Sequence, residues 1–101
     1  MQISMMEHAA ISFITEECFR RLSLIKEQID EKLYTLCSVA IEFGVLNLEY
    51  ISLPILIDKR EKLVLLVKDE FIKYAVNRAK EEGDSNFDLA SALIRFESKI
   101  S

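Results

Sequence analysis

An apolar residue recurs every three or four positions from Ile11 to Phe43, and no glycine or proline interrupts this series. Steps of three, four and four keep such side chains on one side of a nearly straight α-helix. The spacing predicts one helix over residues 5–43, about 57 Å long, with a break near Ser23 as the alternative. Its inward stripe is Ile11, Ile14, Cys18, Leu22, Ile25, Ile29, Leu33, Leu36, Ala40 and Phe43.

Capping signals predict where the helices begin. Ser4 with Glu7, and Asp58 with Glu61, have the spacing of a capping box, in which a polar side chain accepts a hydrogen bond from a first-turn N–H. They predict a helix start near residue 5 and a second helix over 58–82 that ends at Gly83. Residues 63–67 of that helix are apolar on every side, which predicts that neighbouring elements enclose them.

A third helix is predicted over residues 86–100. Ser85 is its expected N-cap, and Asp88 stands at the third helical position. Its inward stripe is Leu89, Leu93, Phe96 and Ile100.

The segment between the first two predicted helices is ambiguous. Apolar residues alternate with Asn47 and Glu49, a pattern typical of a strand, but a lone strand has no pairing partner. We therefore expect a short helix or an ordered apolar linker over residues 47–56, with Pro54 ending or kinking any helix.

These elements predict an all-α fold, a small helical bundle of three main helices in a single domain over residues 1–101. Two glycines and one proline in 101 residues are too few for the many turns of an all-β fold. The length suits one hydrophobic core.

We find no pattern of residues that indicates catalysis. His8 is the single histidine, and Cys18 and Cys37 have neither redox nor zinc spacing. Adjacent acidic residues point about 100° apart on a helix and so do not form an acid–base pair. We expect no enzyme activity, no cofactor and no metal, with a small enzyme or metal protein as the disfavoured alternative.

The charge balance and hydropathy bear on the partners. A net charge of −4 disfavours nucleic acid, which needs a basic surface. The longest apolar-rich run, Val45–Ile57, is too short to span a bilayer. Residues 1–10 have no basic segment typical of a signal peptide. We expect a cytoplasmic protein that contacts neither nucleic acid nor membrane.

The first predicted helix carries more apolar residues than one inward stripe needs. Such a helix is either covered on both sides or exposes a binding surface. Segment 45–57 could provide the cover. The additional apolar residues are Met6, Phe13 and Leu24 opposite the stripe, and Tyr34, Cys37 and Ile41 displaced from it.

We interpret the chain as a protein-binding module. An acidic surface with aromatic anchors favours an inhibitor or immunity-type protein that neutralises a basic toxin or effector. The alternative is a self-associating subunit, a homodimer that works as a chaperone or adaptor. The predicted partner-binding residues are Phe13, Phe19, Arg20, Leu24, Tyr34 and Glu70.

Overall fold

The computed structural model describes the backbone of residues 5–101 and the side chains from Ile14 onward. Over this part of the chain the all-α prediction is confirmed, and the strand alternative for 46–50 is wrong because those residues include a 3₁₀ turn. The helices are α1 (Met5–Ile25), α2 (Glu31–Glu42), α3 (Leu53–Asp58), α4 (Arg60–Glu82) and α5 (Leu89–Ile100), with 3₁₀ turns at Lys26–Gln28 and Leu48–Tyr50.

The predicted continuous helix over 5–43 is wrong, because the chain leaves the helix after Ile25 and starts again at Glu31. Asp30 adopts an extended backbone, and its carboxylate accepts the N–H of Leu33 at 3.3 Å, so that it caps α2. Ser23 does not break α1, because its hydroxyl donates to the carbonyl of Phe19 within the helix. The predicted Ser4 cap lies outside the described residues.

The chain reverses at this break, so that the two halves of the stripe face each other instead of lining one rod. Cys18 and Leu22 of α1 are buried, and so are Leu33, Leu36 and Ala40 of α2. The stripe is wrong for Ile14, which is 53% exposed.

The segment after α2 combines both expected forms. Leu46, Ile51 and Leu56 are buried in the core, as an ordered apolar linker requires. Pro54 lies in the first turn of α3 and does not end a helix there, because its fixed φ suits a helix start.

Two predicted caps are wrong and one helix end is confirmed. Asp58 is the last residue of α3, and α4 begins at Arg60 without a side-chain cap. Asp88 replaces Ser85 as the cap of the last helix, because its Oδ1 accepts the N–H groups of Ala90 and Ser91. Gly83 ends α4 as predicted, at a φ of 64°.

Helix α2 is the central element. It packs against α1 on one side and against α4 and α5 on another, while α3 packs against α4. The Cα trace measures 42 × 37 × 18 Å, and its radius of gyration of 15.3 Å exceeds the value of about 13 Å typical of this length. This flattened shape leaves the outer faces of several helices without a covering element.

An ion pair joins the start of α2 to the start of α4. The guanidinium of Arg60 donates to both carboxylate oxygens of Asp30, at 2.6 and 2.9 Å. This pairing, together with the bond from Leu33 N–H, lowers the pKa of Asp30 from 3.8 to about 2.

We expect Asp30→Asn to lower the midpoint of urea unfolding at pH 7, because asparagine can still cap α2 but cannot pair with Arg60 as an anion. The folded pKa of Asp30 lies below its unfolded value. The stabilisation is therefore present above about pH 4 and disappears as the pH falls to about 2.

The measurement is urea unfolding of both proteins between pH 7 and pH 2. Asp69→Asn is the matched control, because Asp69 pairs with Lys73 inside one helix, and it should have a smaller effect. Equal midpoints for wild type and Asp30→Asn at pH 7 would contradict the role of this ion pair.

Candidate protein-binding surface

Among the side chains that the structure describes, helix α1 exposes two large apolar ones. Within the described residues, this helix packs mainly against α2 and the Leu48–Tyr50 turn. Leu24 is 69% exposed, and Ile14, ten residues earlier, is 53% exposed. A ten-residue spacing places the two side chains within about a quarter turn of each other and about 15 Å apart along the axis. They form what we call the α1 outer surface.

Polar contacts lie between these two apolar ends. The guanidinium of Arg20 is exposed and donates to the carboxylate of Glu17, one turn earlier on the helix. This pairing lowers the pKa of Glu17 and raises the pKa of Arg20. Leu24 follows Arg20 by four residues and is therefore its neighbour on the helix. Arg20 and Leu24 are therefore both exposed on the same part of α1. That they contact a partner stays a prediction.

The other predicted contact residues lie elsewhere. Phe19 and Tyr34 are half-buried and pack against the core, and the ammonium of Lys26 lies 4.9 Å from the centre of the Tyr34 ring. Glu70 is half-buried on α4 with a carboxylate oxygen 3.6 Å from the nitrogen of Lys73. The prediction that Phe13 contacts a partner lies outside the side chains that the structure describes.

The second group of additional apolar residues on the first predicted helix is covered. Cys37 and Ile41 are buried and Tyr34 is half-buried, because α2 lies between α1 on one side and α4 and α5 on the other. Of the additional apolar residues whose side chains are described, Leu24 is the one available to a partner.

An apolar groove of about 470 Å³ adjoins the α1 outer surface at Ile14. Among the described residues that line it, Glu49 carries the one charge. The groove is therefore apolar, with one acidic side chain among the described residues of its lining. Its lining is Ile14, Thr15, Cys18, Ile41, Gly44, Leu46, Asn47, Leu48 and Glu49.

Further apolar side chains are exposed on α4 and α5. Leu65 is 65% and Ile94 is 68% exposed. Leu65 precedes Lys68 by three residues and Ile94 precedes Glu97 by three, and these charged residues form an ion pair between the helices. Both apolar side chains therefore lie beside that pair, on what we call the α4–α5 surface. The apolar spacing did not predict this surface, and the prediction that 63–67 is enclosed is wrong for Leu65 and Leu66.

Both cysteines lie in the hydrophobic core. Burial raises the pKa of the Cys37 thiol to about 11 and also raises the pKa of Cys18. Both thiols therefore stay protonated near pH 7, which is unfavourable for a nucleophile or a metal ligand. In the region with described side chains, no group of three or more His, Cys, Asp or Glu residues could hold a metal ion.

Comparison with family models, curated proteins and solved structures returns no match for this chain. As far as the described residues extend, no helix has the length and apolar character needed to cross a bilayer.

We expect both thiols to react with a thiol-specific chromogenic disulfide at pH 8 far more slowly in the native protein than in urea. Burial restricts access, and the raised pKa values keep the thiolate fraction small. The reaction is followed by absorbance on wild type and on Cys18→Ala and Cys37→Ala. A native thiol that reacts as fast as the unfolded chain would contradict this placement.

Proposed function

We propose that this chain is a small protein-binding module of the inhibitor or immunity type, which neutralises a basic protein partner by covering its surface. The observation that carries the proposal is the exposure of Ile14 and Leu24 on α1, next to a groove whose lining includes Glu49. No catalytic step is part of the proposal, because an inhibitor of this kind acts by occupying a surface.

The α1 outer surface has the composition of an interaction site. Two large aliphatic side chains are held on a helix, where little conformational entropy is lost when a partner binds. Each would gain about 25 cal/mol for every Å² of apolar surface removed from water. Arg20, paired with Glu17, supplies polar groups for the rim of such an interface.

Charge supports a basic partner. The chain carries a net charge of −4, and Glu49 lines the groove beside Ile14. A basic protein would be attracted toward this acidic chain as the two diffuse together. Added salt would screen the charges and weaken the attraction.

We expect the double variant Ile14→Asp with Leu24→Asp to weaken partner binding at least about tenfold, because burying a carboxylate at an apolar contact is costly. Each substitution should change the free energy of unfolding by less than about 0.5 kcal/mol, because both positions are exposed. The partner is identified by affinity capture with the wild-type chain from cells that express it. Binding is then measured with the purified partner at several salt concentrations.

The matched control is Leu65→Asp with Ile94→Asp, which adds the same charge at equally exposed positions away from α1. The proposal requires this control to bind like wild type and the dissociation constant to rise with salt. If the control loses binding while the α1 variant keeps it, the site is wrong. An acidic partner would contradict the charge argument.

A second candidate function is self-association through the α4–α5 surface. Leu65 and Ile94 flank the ion pair between Lys68 and Glu97. In a dimer with a two-fold axis, the lysine of one copy could face the glutamate of the other. Sedimentation of the wild type beside the Leu65→Asp with Ile94→Asp control separates the two functions. A dimer that this control dissociates would favour self-association.

A further inference from the structure

A second apolar groove, of about 370 Å³, lies between the segment after α2 and the first turns of α4. We call it the lysine groove, because the described residues that line it include Lys59 and Lys62 and no acidic residue. Tyr50 and Leu66 are exposed at its surface. Its lining is Val45, Leu46, Tyr50, Ile55, Leu56, Lys59, Lys62, Leu63 and Leu66.

Lys62 stands in the first turn of α4, at the positive end of the helix dipole, where cations are disfavoured. Lys59 lies between the end of α3 and the start of α4. The positive charge of the neighbouring Arg60 is compensated by its ion pair with Asp30. Lys59 has a longer, exposed contact of 3.6 Å with Asp58. Within the described chain, no ion pair closer than 4 Å involves Lys62. The positive charge at this groove therefore has little compensation within the fold.

We propose that the lysine groove binds a fatty acid, an unbranched acyl chain that ends in a carboxylate. The acyl chain would lie on the apolar lining, and its carboxylate would face the ammonium groups of Lys59 and Lys62. The volume of the groove falls within the range of about 300–1,000 Å³ found for small-molecule sites. This site is independent of the protein-binding function proposed for α1.

An acyl chain fits this lining better than an acidic peptide does. A peptide would bring backbone N–H and C=O groups into the groove, and buried groups of this kind need hydrogen-bond partners. Apart from backbone, the lining offers two ammonium donors and the hydroxyl of Tyr50. An acyl chain has no polar group except its carboxylate, which the lysines match.

The test is a titration of the full chain with dodecanoate, below its critical micelle concentration, followed by ¹H–¹⁵N NMR. We expect saturable shifts centred on Val45, Leu63 and Leu66. Dodecan-1-ol, which has the same chain without the charge, should bind about tenfold more weakly, because it makes no ion pair with either lysine.

The variant Lys59→Gln with Lys62→Gln should bind dodecanoate about tenfold more weakly than wild type and should bind dodecan-1-ol unchanged. Lys80→Gln is the matched control, because Lys80 is an exposed lysine near the other end of α4, and it should bind both compounds like wild type. Matching backbone spectra of the free proteins check that the variants remain folded.

Several results would overturn the proposal. The shifts could fail to saturate, or they could centre on residues outside the lysine groove. The alcohol could bind as tightly as dodecanoate, or the double variant could bind dodecanoate as tightly as wild type. An acidic amphipathic peptide could bind while dodecanoate does not. Groove shifts that depend on protein concentration without any ligand would assign the groove to a second copy of the chain, and would also overturn it.

Discussion

The carboxylate of Asp30 is the point on which the arrangement of the helices depends. It accepts the N–H of Leu33 and so starts α2, and it receives both terminal nitrogens of Arg60, at the start of α4. One side chain therefore fixes the reversal between α1 and α2 and ties the later part of the chain to that corner. With α1 folded back, α2 becomes the central helix, and its apolar residues are covered from more than one side.

The helical class and much of the core could be predicted from spacing alone, since Leu22, Leu36 and Ala40 are all buried. The break between α1 and α2 could not be predicted in this way. Ile29 lies in the break, yet it continues the three-four-four spacing from Ile25 to Leu33. Local hydrogen bonding decides the break. Asp30 can cap a new helix and pair with Arg60, and these contacts outweigh the apolar periodicity that would continue the first helix. Asp88 takes the cap expected of Ser85 by the same local bonding.

The candidate surfaces follow from which side of each helix lacks a neighbour, and that depends on tertiary packing. The helical spacing placed Leu24 opposite the inward stripe, and Leu24 is exposed. The spacing could not show that Tyr34 would pack on the core once the helix divides. The apolar run 63–67 was predicted to be enclosed, yet the helices packed against α4 leave Leu65 and Leu66 exposed. The fold, and not the spacing, shows that Lys59 and Lys62 line one groove with apolar residues from the segment after α2.

The most direct measurement of the central claim, that α1 folds back on α2, is a distance between spin labels on the two helices. Cysteines at exposed Glu16 and Glu42, with Cys18 and Cys37 replaced by alanine, would carry the labels. A continuous helix would separate the two backbones by about 39 Å. The fold described here predicts one population at less than about half that distance. A population near the longer distance would contradict the reversal at Asp30 and the surfaces that depend on it.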